Sequence, residues 1–166
     1  MDAVSRPVAP RPVPIFPSLL FEPRRPALYI PAAVALSLAG AVLLSTAAAT
    51  LFPAAKGPTF PSFGGTFLFM VVIFAPFLET AIMAGVIEVL RRFLSPWATV
   101  AVSAAGWGAA HSAMAPAWGL VIWWPFTIFS LAYLVWRERA WWQGYLVAAT
   151  IHALQNAVPA VSMAFA

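Results

Sequence analysis

The sequence predicts an all-α fold, a polytopic membrane bundle of about five transmembrane helices. Of the 166 residues, 63% are hydrophobic and only 8% are charged, whereas a soluble domain of this size carries charge on roughly a quarter of its residues. The chain also divides into five long apolar segments, each approaching or exceeding the roughly 20 residues that cross a bilayer as a helix. The length leaves no room for a second folded domain.

The first 26 residues differ in composition from the rest. Their proline density blocks helix formation and favours extended chain, and no apolar run follows a basic start as in a secretory signal. We interpret residues 1–26 as a flexible cytoplasmic arm near anionic headgroups, or alternatively as a plain disordered tail. The arm contains seven prolines and four arginines: Pro7, Pro10, Pro12, Pro14, Pro17, Pro23, Pro26, Arg6, Arg11, Arg24 and Arg25.

Residues 27–166 form the predicted transmembrane bundle. The third apolar segment is short and rich in Ala, Gly and Ser, and the tight Ala115-Pro116-Ala117 join predicts an antiparallel hairpin with the fourth; a re-entrant third segment is the alternative. Prolines and charges interrupt the apolar pattern between segments. The five segments are residues 28–52, 66–90, 98–115, 117–136 and 141 to the C-terminus, and the breaks fall at Pro53, Lys56, Pro58, Arg91, Arg92, Pro96, Pro116, Arg137 and Arg139.

Cationic residues predict the orientation. With the N-terminus in the cytoplasm, all eight arginines fall inside and only Lys56 falls outside, as the positive-inside rule requires. The net charge of +4 therefore indicates membrane lipid as a partner, not nucleic acid. The chain has no cysteine, which excludes disulfides, thiolate metal sites and a cysteine nucleophile.

Few ionisable side chains lie within the predicted spans, and such residues are functional candidates because charge at mid-bilayer costs about 2.5–3.5 kcal/mol. Glu88 is the exception: it lies a turn from Arg91 and Arg92 and faces away from Glu79, so we assign it to the interface. The aromatic residues of the fourth segment are expected to face lipid or pack. The candidates are Glu79, His111, His152 and the amide Asn156, and the aromatic residues are Trp123, Trp124, Phe126 and Phe129.

The four candidates lie at one depth. At about 1.5 Å per residue, all of them are roughly 16–23 Å from the predicted inner face. His152 and Asn156 are four residues apart and share a helix face, while Pro76 precedes Glu79 by three residues and can kink its helix. The alternative for a histidine or asparagine in such a position is a simple interhelical hydrogen bond.

Three segments resemble the motifs of the CPBP family, which comprises the CAAX prenyl proteases and the bacteriocin-processing or Abi-type membrane proteins. The segment from Ala75 to Gly85 resembles the first motif, Trp107 followed by His111 the second, and His152 followed by Asn156 the third. Order, spacing and placement in separate spans agree over residues 66–160. The resemblance departs at Thr80, where the family has a second glutamate, and at Ala84, where it has arginine; both partners of an i,i+4 ion pair are absent together.

The resemblance implies an intramembrane endopeptidase in a bacterial inner membrane, acting on a peptide or lipidated peptide. From the residue types, Glu79 is the candidate general base for a water nucleophile, with His111 positioning that water. His152 and Asn156 would donate to the oxyanion, and Trp107 is a candidate substrate-binding residue. This glutamate mechanism requires no cofactor.

Three alternatives remain open from the sequence. Glu79, His111 and His152 are also the ligand types of a catalytic zinc site, although no HExxH motif is present and Asn156 suits an oxyanion donor better. Loss of the Glu-Arg pair is also typical of a catalytically degenerate binding or immunity-type protein. A small proton-coupled transporter, with Glu79 and the histidines as a relay, is the third alternative.

Overall fold

Five long helices make up most of the described chain, which in this computed structural model covers residues 9–55, 57–58 and 64–164. The all-α prediction is confirmed, since these residues contain no strand. Residues 1–8, with Arg6 and Pro7, and Lys56 lie outside the described residues. The helices are α1 (Pro26–Leu51), α2 (Gly65–Leu90), α3 (Pro96–Ser112), α4 (Gly119–Arg137) and α5 (Trp141–Ala164).

Three of these helices, α1, α2 and α4, are long and apolar enough to cross a membrane. Helix α3 has 17 residues, while the 24 residues of α5 are less apolar because polar side chains interrupt them. The chain is therefore a helical membrane protein by length and composition. The polar residues of α5 include Gln143, His152, Gln155 and Asn156.

Helix boundaries follow the breakers in the sequence. Helices α1 and α3 begin with Pro26 and Pro96, in the first turn where a missing N–H costs no hydrogen bond, and the Ser95 hydroxyl accepts from the Ala98 N–H to cap α3. Helix α3 ends at Ser112 and α4 begins at Gly119, so Pro116 lies within a turn of six residues. This turn is longer than the three-residue join that the sequence predicts.

Helix α2 contains a π-helical segment, Met70–Phe74, in its first half. Pro76 follows it and has no N–H to complete the regular helical ladder. The Ala75 N–H reaches back five residues to the Met70 carbonyl, which is the hydrogen bond of a π-helix. The break that the sequence predicts beside Glu79 is therefore a π-bulge.

Helix α4 is the centre of the bundle and packs against α1, α3 and α5. Its second half is buried on all sides, which explains the continuous apolar run there. Ser130 links three helices: its hydroxyl donates to the Ser103 hydroxyl of α3 at 3.0 Å and lies 3.5 Å from the Met83 sulfur of α2. The buried run comprises Phe126, Ile128, Phe129, Ser130, Leu131, Ala132, Tyr133, Leu134, Val135 and Trp136.

Residues 9–25 pack against the bundle, although the sequence predicts a flexible arm for residues 1–26. The Phe16 ring stacks on the rings of Trp97 in α3 and Trp124 in α4, with both centroid distances 5.8 Å. Leu20, 1% exposed, lies in a short 3-10 helix and accepts a hydrogen bond from the Tyr29 hydroxyl. Apolar side chains between the prolines thus hold this segment in place.

Candidate active site

Glu79 of α2 and His152 of α5 form the centre of the candidate site. The Glu79 Oε2 atom lies 3.8 Å from the His152 Nε2 atom, a distance that forms an ion pair when the histidine is protonated. The Glu79 side chain is 28% exposed and that of His152 only 4%. The carboxylate is therefore the accessible member of the pair, and the imidazole lies behind it.

The other ring nitrogen of His152 is held by Thr80. The Thr80 hydroxyl lies 3.3 Å from Nδ1, and Thr80 is fully buried. Phe129 stacks on the imidazole at a centroid distance of 4.5 Å, and Phe126 meets it edge-on at 5.2 Å. The ring is thus fixed by polar contacts at both nitrogens and by aromatic rings around it.

His111 lies on the other side of Phe126. Its Nδ1 atom is 2.8 Å from the carbonyl oxygen of Trp107 in its own helix, and since a carbonyl only accepts, Nδ1 carries the proton. A neutral His111 then has its lone pair on Nε2. The Phe126 ring contacts His111 at a centroid distance of 5.7 Å and Trp107 at 4.6 Å, so one aromatic side chain connects both histidines.

Asn156 faces the π-bulge of α2. Its Nδ2 donates to the Val71 carbonyl oxygen at 3.1 Å. The sequence predicts that His152 and Asn156 aim at one point, but the described side chains differ: His152 meets Glu79 and Thr80, while one Asn156 N–H is engaged by backbone. The second N–H is the donor left for a ligand.

The zinc alternative does not fit this arrangement. Within the described part of the chain, which includes Glu79, His111 and His152, no three His, Asp or Glu side chains form a group that could hold a metal ion. The Nδ1 atoms of His111 and His152 contact the Trp107 carbonyl and the Thr80 hydroxyl, so only the Nε2 atom of each ring is left as a metal ligand.

No family model matches this sequence, and no curated protein or solved structure matches it either.

Glu88 belongs to a separate ionic cluster at the end of α2. One of its carboxylate oxygens accepts from the Tyr133 hydroxyl at 2.8 Å and from the Arg137 Nε. The other accepts from Arg137 Nη2 at 2.9 Å and from Arg91 at 2.7 Å. The sequence places Arg91 within a turn of Glu88, whereas the contacts with α4 depend on helix packing.

Two parts of the site carry no motif signal. Thr80 enters the sequence analysis only as a departure from the family pattern, yet its hydroxyl is the contact of His152 Nδ1. Phe126 and Phe129 have the residue type of ordinary packing residues. The only feature of the sequence that points to Thr80 is its position, a polar residue directly after an intramembrane glutamate.

Proposed function

We propose that this chain is an intramembrane endopeptidase of the CAAX-protease and bacteriocin-processing type. The observation that carries the proposal is the Glu79–His152 pair, in which an accessible carboxylate and a buried imidazole from two helices meet at 3.8 Å. A positioned carboxylate beside an imidazole is a general base and a hydrogen-bond donor in one place. Resemblance to the family motifs adds the substrate class, a membrane peptide or a lipidated peptide.

The proposed topology has five membrane spans with the N-terminus in the cytoplasm and, by the same resemblance, a bacterial inner membrane. Helices α3 and α5 would complete the set as the less apolar spans. Arg137 at the end of α4 pairs with Glu88 near the end of α2, and Arg139 donates to the Pro23 carbonyl just before α1. These ends lie together and carry most of the arginines, as expected for a cytoplasmic face.

In the proposed reaction, Glu79 removes a proton from water as the water oxygen attacks the peptide carbonyl carbon. The N–H of His152 donates to the oxygen that becomes negative in the tetrahedral intermediate. Collapse breaks the C–N bond, and the proton held by Glu79 passes to the leaving amine. The products are a carboxylic acid and an amine, and the acid then passes its proton to the amine to give a carboxylate and an ammonium ion. A role for His111 in positioning the attacking water comes from the resemblance and the residue type alone.

A catalytically degenerate binding protein of the same fold is the second candidate. The specific observation in its favour is the enclosure of His152, which is 3% exposed and stacked on Phe129. The Asn156 amide already bonds to Val71. Both features leave the two proposed oxyanion donors less accessible than Glu79, and such a site would bind a peptide without cleaving it.

Cleavage of a fluorogenic peptide library by the purified full-length protein in detergent separates the two functions. We expect cleavage by wild type, its loss in Glu79→Gln, and its retention in Glu22→Gln, which makes the same change on the exposed N-terminal arm. Cleavage should survive a chelator; loss on chelation in wild type would overturn the metal-free mechanism. If neither wild type nor Glu79→Gln cleaves any peptide, although both proteins are folded and still bind peptide, the peptidase is rejected in favour of the binding protein.

A further inference from the structure

Two consecutive residues of α2 contact the two nitrogens of one imidazole. Glu79 lies 3.8 Å from His152 Nε2, and the Thr80 hydroxyl lies 3.3 Å from Nδ1. Successive helical side chains diverge by about 100°, so the imidazole of α5 lies in the angle between them. We propose that Thr80 is a positioning residue that sets the orientation and proton tautomer of His152; the inference rests on the proposed function only for its catalytic consequence.

Burial makes the Thr80 contact decisive for the orientation of the ring. Thr80 is 0% exposed and His152 is 3% exposed, so water does not replace a lost hydrogen bond at either group. A ring rotated by 180° would place a carbon against the Thr80 hydroxyl and leave a buried polar group unpaired, which is unfavourable. Phe129, stacked on one face of the ring, restricts the intermediate orientations.

The tautomer follows from the partners. A neutral imidazole has one N–H donor and one acceptor nitrogen. If Nδ1 carried the proton, the Nε2 lone pair would face the Glu79 carboxylate, and two acceptors would repel each other. If Nε2 carries the proton, it faces the carboxylate favourably, and Nδ1 needs a donor. The Thr80 hydroxyl supplies that donor, because its hydrogen rotates to suit.

A hydroxyl is chemically distinct here from the glutamate that the family motif carries at this position. An ionised carboxylate only accepts, so it would draw the proton to Nδ1 or require an imidazolium. Threonine instead supports a neutral ring with its N–H directed at Glu79. Thr80 thus makes a donor contact to His152 that an ionised glutamate would not make, and an uncharged residue here needs no cationic partner at position 84.

The tautomer of His152 can be measured directly, because the chain has only two histidines. The full-length protein, labelled with 15N-histidine in lipid bilayers, gives two imidazole spectra by NMR, and His111→Gln assigns the remaining one to His152. We expect His152 to be the Nε2–H tautomer in wild type and in Thr80→Ser. In Thr80→Val, which keeps the shape and removes the hydroxyl, we expect a mixture of tautomers, with His111 unchanged as the internal reference.

Activity is the second readout. Where wild type cleaves peptide, Thr80→Val should lower kcat about tenfold, by analogy with the roughly 10–100-fold loss on removal of the partner that orients a metal-bound histidine. KM should be unchanged, and activity should be restored in Thr80→Ser. Thr80→Ala replaces Thr80→Val if the latter does not fold. A wild-type His152 spectrum in Thr80→Val, or in Thr80→Ala where that variant replaces it, would overturn the inference. A changed tautomer in a protein that cleaves nothing would instead reject the peptidase and support the role of Thr80.

Discussion

Asn156 donates its side-chain amide to the backbone carbonyl of Val71, 3.1 Å away on the neighbouring helix. Val71 lies in the π-helical segment Met70–Phe74, where Pro76 removes a donor from the regular ladder. The amide therefore satisfies α2 backbone beside its break, four residues after His152 on α5. This contact fixes the relative positions of the two helices that carry the Glu79–His152 pair.

Asn156→Leu should destabilise the bundle by about 0.6–2 kcal/mol, the range of interhelical hydrogen bonds in membranes. The substitution keeps the size of the side chain and leaves the Val71 carbonyl without its donor. Unfolding in mixed micelles measures the effect. The control is Ser162→Ala, because the exposed Ser162 hydroxyl only bonds within its own helix, to the Val158 carbonyl. Equal stability of Asn156→Leu and Ser162→Ala would contradict the role of this contact.

The sequence predicts positions along the helix axes better than rotations about them. Proline and arginine breakers predict the order of the five helices, and α1, α2 and α5 begin and end within a few residues of the expected bounds. Depth along each span also groups Glu79 with His152, which do meet. These features are local, because a missing N–H or a charged turn acts at its own position.

Contacts between helices depend on packing that no single segment encodes. Spacing predicts that Asn156 and His152 share a face, but only the rotation of α5 against α2 decides that one meets Val71 and the other Glu79. The same limit applies to the N-terminal arm. Its prolines predict extended chain, while the aromatic partners of Phe16 come from helices about 80 and 110 residues later.

The ionic cluster around Glu88 should contribute measurably to stability. Glu88 contacts Arg137 across helices, and their side chains are 31% and 18% exposed. Glu88→Gln strands a partly buried guanidinium, so we expect a loss of about 1–3 kcal/mol, below the 3–5 kcal/mol of a fully buried pair because solvent screens part of the charge. Glu88→Gln combined with Arg137→Gln should cost less than the sum of the single changes.

An exposed pair provides the comparison for this cluster. Glu22 and Arg24 pair at 2.9 Å, but their side chains are 47% and 72% exposed, and surface pairs contribute about 0–1 kcal/mol. Glu22→Gln should therefore shift the unfolding midpoint far less than Glu88→Gln. Additive single and double variants at Glu88 and Arg137 would show that the two residues do not interact energetically.

Phe16 should anchor the N-terminal arm to the bundle. Its ring stacks on Trp97 and Trp124, and aromatic pairs contribute about 0.5–1.5 kcal/mol each. We expect Phe16→Ala to cost about 2 kcal/mol and to expose residues 9–25 to limited proteolysis. Ile15→Ala is the matched control, because Ile15 precedes Phe16 in the chain and its own side chain is 75% exposed. Similar proteolysis of both variants would show that the arm is held by other contacts.

Gly119 lies at a close backbone approach between α3 and α4. A Cβ atom there would overlap the Gly108 carbonyl oxygen and the Ser112 hydroxyl, and the Gly108 backbone leaves little freedom to move. Small residues allow such close backbone packing between membrane helices, so Gly119→Ala should destabilise by about 1–3 kcal/mol through overpacking.

Gly106 is the matched position for this prediction, because it lies in α3 with no atom within 4 Å of an added Cβ. Gly106→Ala should be neutral or stabilise by up to about 1 kcal/mol, since alanine restricts the unfolded chain more than glycine. Unfolding of both variants in the same micelles gives the comparison. If Gly119→Ala proved as stable as Gly106→Ala, the two helices would have to be farther apart at Gly108 than the structure has them, and the Trp107–Phe126 contact beside it would need to be reconsidered as well.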